Sequence, residues 1–115
     1  MKDKKENLNL YPTEERIEQF EMLYGLLNAI VIDMKNFAKK NPDEILNKVK
    51  VKTINKVLTQ IREFLVNYPI KEFLELLDEE TLPANSDAVL IIGQFNSAMD
   101  QFKSKYYGWD KQDRV

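Results

Sequence analysis

The chain of 115 residues contains no cysteine and no histidine. Without thiols there are no disulfides, no thiolate metal sites and no cysteine nucleophile, and the redox compartment stays open. Without imidazole the usual proton shuttle near neutral pH and the commonest metal ligand are both missing. Ser-His-Asp triads, histidine-based metal hydrolases and ribonuclease-type acid–base pairs are therefore excluded. Glycine is scarce at three residues, none of them clustered, which leaves no loop able to cradle a phosphate with its backbone. The longer apolar runs, Ala29 to Ile32 and Ala88 to Ile92, fall far short of the roughly 20 residues of a membrane span. The opening Met-Lys-Asp-Lys-Lys-Glu-Asn has charge but no apolar segment behind it, so it reads as a solvated tail and not a signal peptide.

What is present is a single domain's worth of chain, large enough to fold on its own core without staples. Seventeen basic and nineteen acidic residues leave a net charge of -2, the wrong sign for a domain whose main task is to neutralise phosphates. The charge is uneven: residues 69–87 hold one cation and six anions, whereas 41–68 hold five cations and three anions.

Four helical segments can be read. Thr13 is an N-cap followed by Glu14 and Glu15, which suit the positive end of a helix dipole, and Lys39 and Lys40 suit the negative end. Within this first helix, about 13–40, one apolar stripe runs Ile17, Phe20, Leu23/Tyr24, Leu27, Ile30/Val31, Met34 and Phe37/Ala38. A second stripe on the opposite side runs Met22, Gly25, Leu26, Ala29, Ile32, so the helix must be covered on both faces. Asn41-Pro42-Asp43-Glu44 looks like a cap, a Pro at the first helical position and a capping-box Glu, opening a second helix over about 42–68. Its apolar phase slips near Lys50, however: Ile45, Leu46 and Val49 sit roughly 100° away from the stripe carried by 51, 54, 58, 61 and 65. The helix therefore bends or breaks at 50–53, or its first turns pack on another neighbour. Pro69 opens a short helix over about 69–79, and a loop over 81–87 leads to a last helix over about 86–107, capped by Asn85 or Ser86 and terminated by Gly108. Short connections between such helices predict an all-α, antiparallel three- to four-helix bundle over 13–109, with polar tails at 1–12 and 110–115.

The candidate sites are few. Glu14-Glu15-Arg16-Ile17-Glu18 resembles the Glu-Glu-x-x-Glu half of the metal signature of all-helical nucleoside triphosphate pyrophosphohydrolases of the MazG kind. That resemblance implies carboxylates one turn apart holding magnesium. It covers five residues, and the second pair that the family places on the following helix is found only as Glu75-Leu-Leu-Asp78, on the third. Over any useful length the chain resembles no family. Glu72, Glu75, Asp78 and Glu79 form a candidate acidic docking surface, or simply the solvated back of a short helix. Lys48, Lys50, Lys52, Lys56 and Arg62 form a basic strip that would touch phosphate if anything here does. Tyr107 and Trp109 follow the last helix, where Trp109 meets only Lys103 and Ser104 on its own turn and needs a partner elsewhere. Gly25 and Gly93 each cost a helix about 1 kcal/mol relative to Ala, which close approach of another helix would offset; Gly93 reads as the counterpart of Gly25, in a crossing inside the molecule or in a seam across a dimer.

The expected function is thus non-catalytic. The chain reads as a small cytoplasmic interaction module, a regulator, adaptor or inhibitor, that binds another protein and forms a homodimer. The candidate interface is Met22, Gly25, Ala29, Ile32, Tyr107 and Trp109, and no cofactor, metal or membrane is expected. The alternative is a carboxylate-based metal- or nucleotide-binding bundle, or an enzyme of that kind, using Glu14, Glu15, Glu18, Asp33 and Tyr24. A third reading is nucleic-acid contact through the strip from Lys48 to Arg62.

Overall fold

The structure is a computed structural model that describes residues 12–107. Three helices carry it: α1 (Glu14–Lys40), α2 (Lys48–Phe64) and α3 (Asn85–Phe102). They are joined by a short extended link, by a 3-10 turn at Pro69–Phe73, and by a loop, and a π-helical turn, Lys103–Tyr107, continues α3. The fold is an all-α antiparallel bundle, as expected. Each helix gives one face to a common core: Phe20, Leu23, Leu27 and Met34 from α1, Val51, Leu58 and Ile61 from α2, Ala88, Ile92, Phe95 and Met99 from α3.

Helix α1 begins where its cap predicts. The Thr13 hydroxyl oxygen accepts the Arg16 N–H at 3.1 Å, and Glu14 and Glu15 occupy the first turn. The basic last turn, Lys39 and Lys40, lies at the other end. At its start α1 also closes the end of α2. The Arg16 guanidinium donates to the Phe64 carbonyl at 2.9 Å and lies 3.8 Å over the Phe64 ring, so an orphan carbonyl at a helix C-terminus receives a charged donor. Around this end Phe20, Phe64, Phe102 and Tyr68 stack and tilt against one another at 5.0 to 6.1 Å between centroids.

The second helix is shorter than expected. Asn41-Pro42-Asp43-Glu44 does not open it; α2 starts at Lys48, with the Asn47 side chain accepting the Lys50 N–H at 2.8 Å. The reason lies in α3, whose N-cap position is Ala84, a residue with no side chain to offer. The first N–H groups of α3 find carbonyls in the 42–46 stretch instead: Asn85 N–H donates to Glu44 O at 2.8 Å and Ser86 N–H to Pro42 O at 3.0 Å. Leu46 N–H returns a bond to Pro83 O at 2.9 Å, and Ile45 and Ala84 form an antiparallel bridge. An extended link that caps a distant helix outweighs a local helix start. The phase slip near Lys50 thus marks the late start of the helix and not a bend or break at 50–53, through which α2 runs unbroken: Leu46, on the link, is buried, while Ile45 on the link and Val49 in the first turn of α2 face outward. Asn85 itself is buried inside the first turn of α3, where its side chain donates to Asn41 O at 2.8 Å.

The predicted short helix over 69–79 is also cut back. Pro69–Phe73 is a single 3-10 turn, and at Leu74 the backbone is already extended, with φ -100° and ψ 106°. Leu74 and Leu77 still point into the core. The buried Asn55 of α2 holds this stretch open: its Nδ2 donates to Leu77 O at 2.9 Å and its Oδ1 accepts Leu77 N–H at 3.0 Å. The same Nδ2 reaches the Glu79 carboxylate at 3.2 Å. A side-chain amide thereby replaces the helical partners of Leu77, and the acidic residues 75, 78, 79 and 80 escape the negative end of a helix, where they would be unfavourable.

Candidate functional site

The outer face of α1 is the feature that the fold leaves unused. At 3.6 residues per turn, Met22, Gly25, Leu26, Ala29 and Ile32 fall within one arc, opposite the side that enters the core. All five are exposed, with Met22, Leu26 and Ile32 retaining 52, 47 and 60% of their accessible surface. A Cβ built on Gly25 would meet nothing within 4 Å. The idea that this stripe marks the closest helix crossing inside the molecule is therefore corrected: among the described residues no helix covers it. Gly93 is not its counterpart either, since it lines a separate hollow of about 40 Å³ with Val31, Met34 and Lys35. Along the same outer arc the apolar patch is bounded by Glu14, Glu15 and Glu18 at one end and by Lys39 and Lys40 at the other, all exposed. Asp33 and Asn36 lie between the patch and the basic end.

The other candidate residues are dispersed. Trp109 and the Tyr107 side chain lie outside the described residues. Glu72 sits on the 3-10 turn, whereas Glu75, Asp78 and Glu79 follow on non-helical backbone, so the four do not form one helical face. Glu79 is held by Asn55, and the Asp78 carboxylate accepts the N–H groups of Glu80 at 2.8 Å and Thr81 at 3.0 Å. Those bonds, that from Thr81 above all, hold the Asp78 carboxyl below its ordinary pKa. The basic strip divides too. Lys48, Lys52 and Lys56 are exposed on the outer arc of α2, but Lys50 turns to the other flank, its ammonium 4.4 Å from the Phe37 ring. Arg62 is half-buried, with a buried Nε that has no hydrogen-bond partner. It lines an open hollow of about 450 Å³ with Thr59, Glu63 and Lys71.

The residues of the carboxylate reading are not brought together. Glu14, Glu15, Glu18 and Asp33 face solvent on the outside of α1, while Tyr24 points toward α3 and donates to the Asp100 carboxylate. That bond, with burial and the negative charge of Asp100 adding to it, pushes the Tyr24 pKa up to about 12. The Lys103 ammonium lies 5.2 Å from the Tyr24 ring centroid. Among the described residues no group of three or more Asp or Glu side chains is placed to hold a metal ion. The Tyr24–Asp100 pair had no sequence signal, because its members are on helices joined through a third. A further apolar groove of about 350 Å³ runs between the 3-10 turn and the end of α3, lined by Tyr68, Ile70, Phe73 and Phe102.

The molecule is thus of the class of small antiparallel helical bundles, with an outward apolar face on α1 and no described helix long and apolar enough to cross a membrane. Compared with known proteins, the chain matches no family model, no curated protein and no solved structure.

Proposed function

We propose that the protein is a non-catalytic protein–protein interaction module of the cytoplasm, a regulator, adaptor or inhibitor, that acts as a homodimer and binds through the outer face of α1. The observation that carries this reading is the exposure of Met22, Leu26 and Ile32 on consecutive turns of one helix. Single exposed apolar residues are ordinary on a protein surface, but a contiguous patch with a charged rim is the usual mark of an interaction site. Desolvating such a patch is worth about 25 cal/mol for each Å² covered, and on the free monomer that energy is not recovered.

The test is the mass of the protein in solution as a function of concentration. Light scattering or sedimentation gives a dimer for the native chain, and Ile32→Glu gives a monomer with an unchanged circular dichroism spectrum, because Ile32 contributes nothing to the core. A native chain that stays monomeric at every concentration removes the homodimer, and an Ile32→Glu variant that still associates removes α1 as the binding face.

A further inference from the structure

Resting on that reading, we infer that the partner on α1 is a second copy of the chain laid antiparallel, with the two-fold axis passing opposite Leu27. A closed two-fold contact must be self-complementary, each residue of one patch meeting a residue of the same patch on its partner. The α1 surface satisfies this with the axis at Leu27. With the axis at Leu27, Gly25 lies beside the partner's Ala29, and Met22 beside the partner's Ile32. The small pair sits next to the axis, where the two backbones must come closest, at an interaxial distance of about 8 Å. The large pair closes the contact a turn further out. At the ends, Glu14 and Glu15 meet the partner's Lys40 and Lys39. Each pair occurs twice, so the acidic start of each helix lies on the basic end of the other.

The parallel alternative fails on the same residues. It would set Glu14, Glu15 and Glu18 against their own copies, and Lys39 and Lys40 against theirs, with like charge at both ends of the contact. The antiparallel pairing has one mismatch: Asp33 comes to the partner's Glu18 and Glu21. This mismatch supplies part of the test.

The chain has no cysteine, so single cysteine variants report without background. Gly25→Cys and Ala29→Cys both fall on exposed positions, and the Cβ added at Gly25 enters open space. Oxidised together, the two variants form a mixed disulfide; oxidised separately, neither crosslinks. Each residue is displaced from its own copy by about 6 Å along the axis, which takes the pair beyond disulfide reach. Sedimentation supplies the second arm. Glu14→Lys with Glu15→Lys weakens the dimer roughly tenfold, because the rim pairs with the partner's Lys40 and the partner's Lys39 turn from attraction to repulsion at both ends. Asp33→Lys tightens it, whereas in a parallel pair position 33 would meet its own copy before and after the change, like charge against like, and association would stay as it was. A dimer in which Gly25→Cys crosslinks to itself, or in which Asp33→Lys leaves association unchanged or weakens it, overturns the antiparallel register and leaves the interaction reading in place. A native chain that is monomeric at every concentration overturns both.

Discussion

Tyr24 and Asp100 join α1 to α3 through one hydrogen bond that the sequence did not announce, and its effect is confined to one proton. The bond exists only while the phenol is protonated, so the folded chain holds that proton more tightly than the unfolded chain does. The sign follows directly. The stabilisation is fully present below the ordinary tyrosine pKa near 10 and is lost as pH rises through the raised value of about 12. Tyr24 is therefore expected to ionise late. Ultraviolet titration of tyrosinate should show a late step near pH 12 in the native chain. That step disappears in Tyr24→Phe, and in Asp100→Asn it moves toward the ordinary range. A late step that survives Tyr24→Phe would assign the shift to another tyrosine.

At the scale of elements, the decisive interactions are those by which one segment completes the hydrogen bonding of another. Asn55 is the strongest instance, a buried amide that supplies both partners of Leu77. Asn55→Ala leaves a buried N–H and a buried carbonyl unsatisfied, at a cost of about 2–4 kcal/mol in unfolding free energy measured by urea denaturation. A loss under about 0.5 kcal/mol would mean that water or a shifted backbone replaces the amide. This kind of contact also marks how far the sequence could be read. The ends of α1 follow from Thr13, Glu14, Glu15, Lys39 and Lys40, since caps and dipole charges act within one turn and are written locally. The core faces of all three helices likewise follow from their 3.6-residue periodicity, and nearly every residue on the Phe20 stripe proved buried or half-buried. Asn41-Pro42-Asp43-Glu44 misleads because the need it meets is that of Ala84, forty residues on. The 69–79 segment misleads in the same way, its fate decided by an asparagine on α2. Periodicity alone cannot reveal a backbone claimed by a distant partner.

On the scale of the whole molecule, the second stripe of α1 had two readings in the sequence, an internal crossing or a seam between molecules, and periodicity could not choose because both require the same apolar arc. Exposure removes the internal crossing among the described residues and sets the expected effect of a single change. Gly25 sits inside a helix with open space beyond it, so in the monomer it brings only its conformational cost. Gly25→Leu should therefore stabilise the isolated fold by about 0.5–1 kcal/mol, as a strong helix former replaces glycine at a solvent-facing position. In the proposed dimer the same side chain would stand where two backbones approach most closely and would force the helices apart by more than their small-residue contact allows. Association should fall by roughly tenfold or more, the equivalent of about 1.4 kcal/mol or greater. Denaturation in dilute solution and sedimentation over a concentration series read the two effects separately. Opposite signs are the signature of a residue kept small for a partner, for a glycine serving an internal crossing would lose stability and association together. A variant with both quantities unchanged would show that the outer face of α1 meets nothing at Gly25.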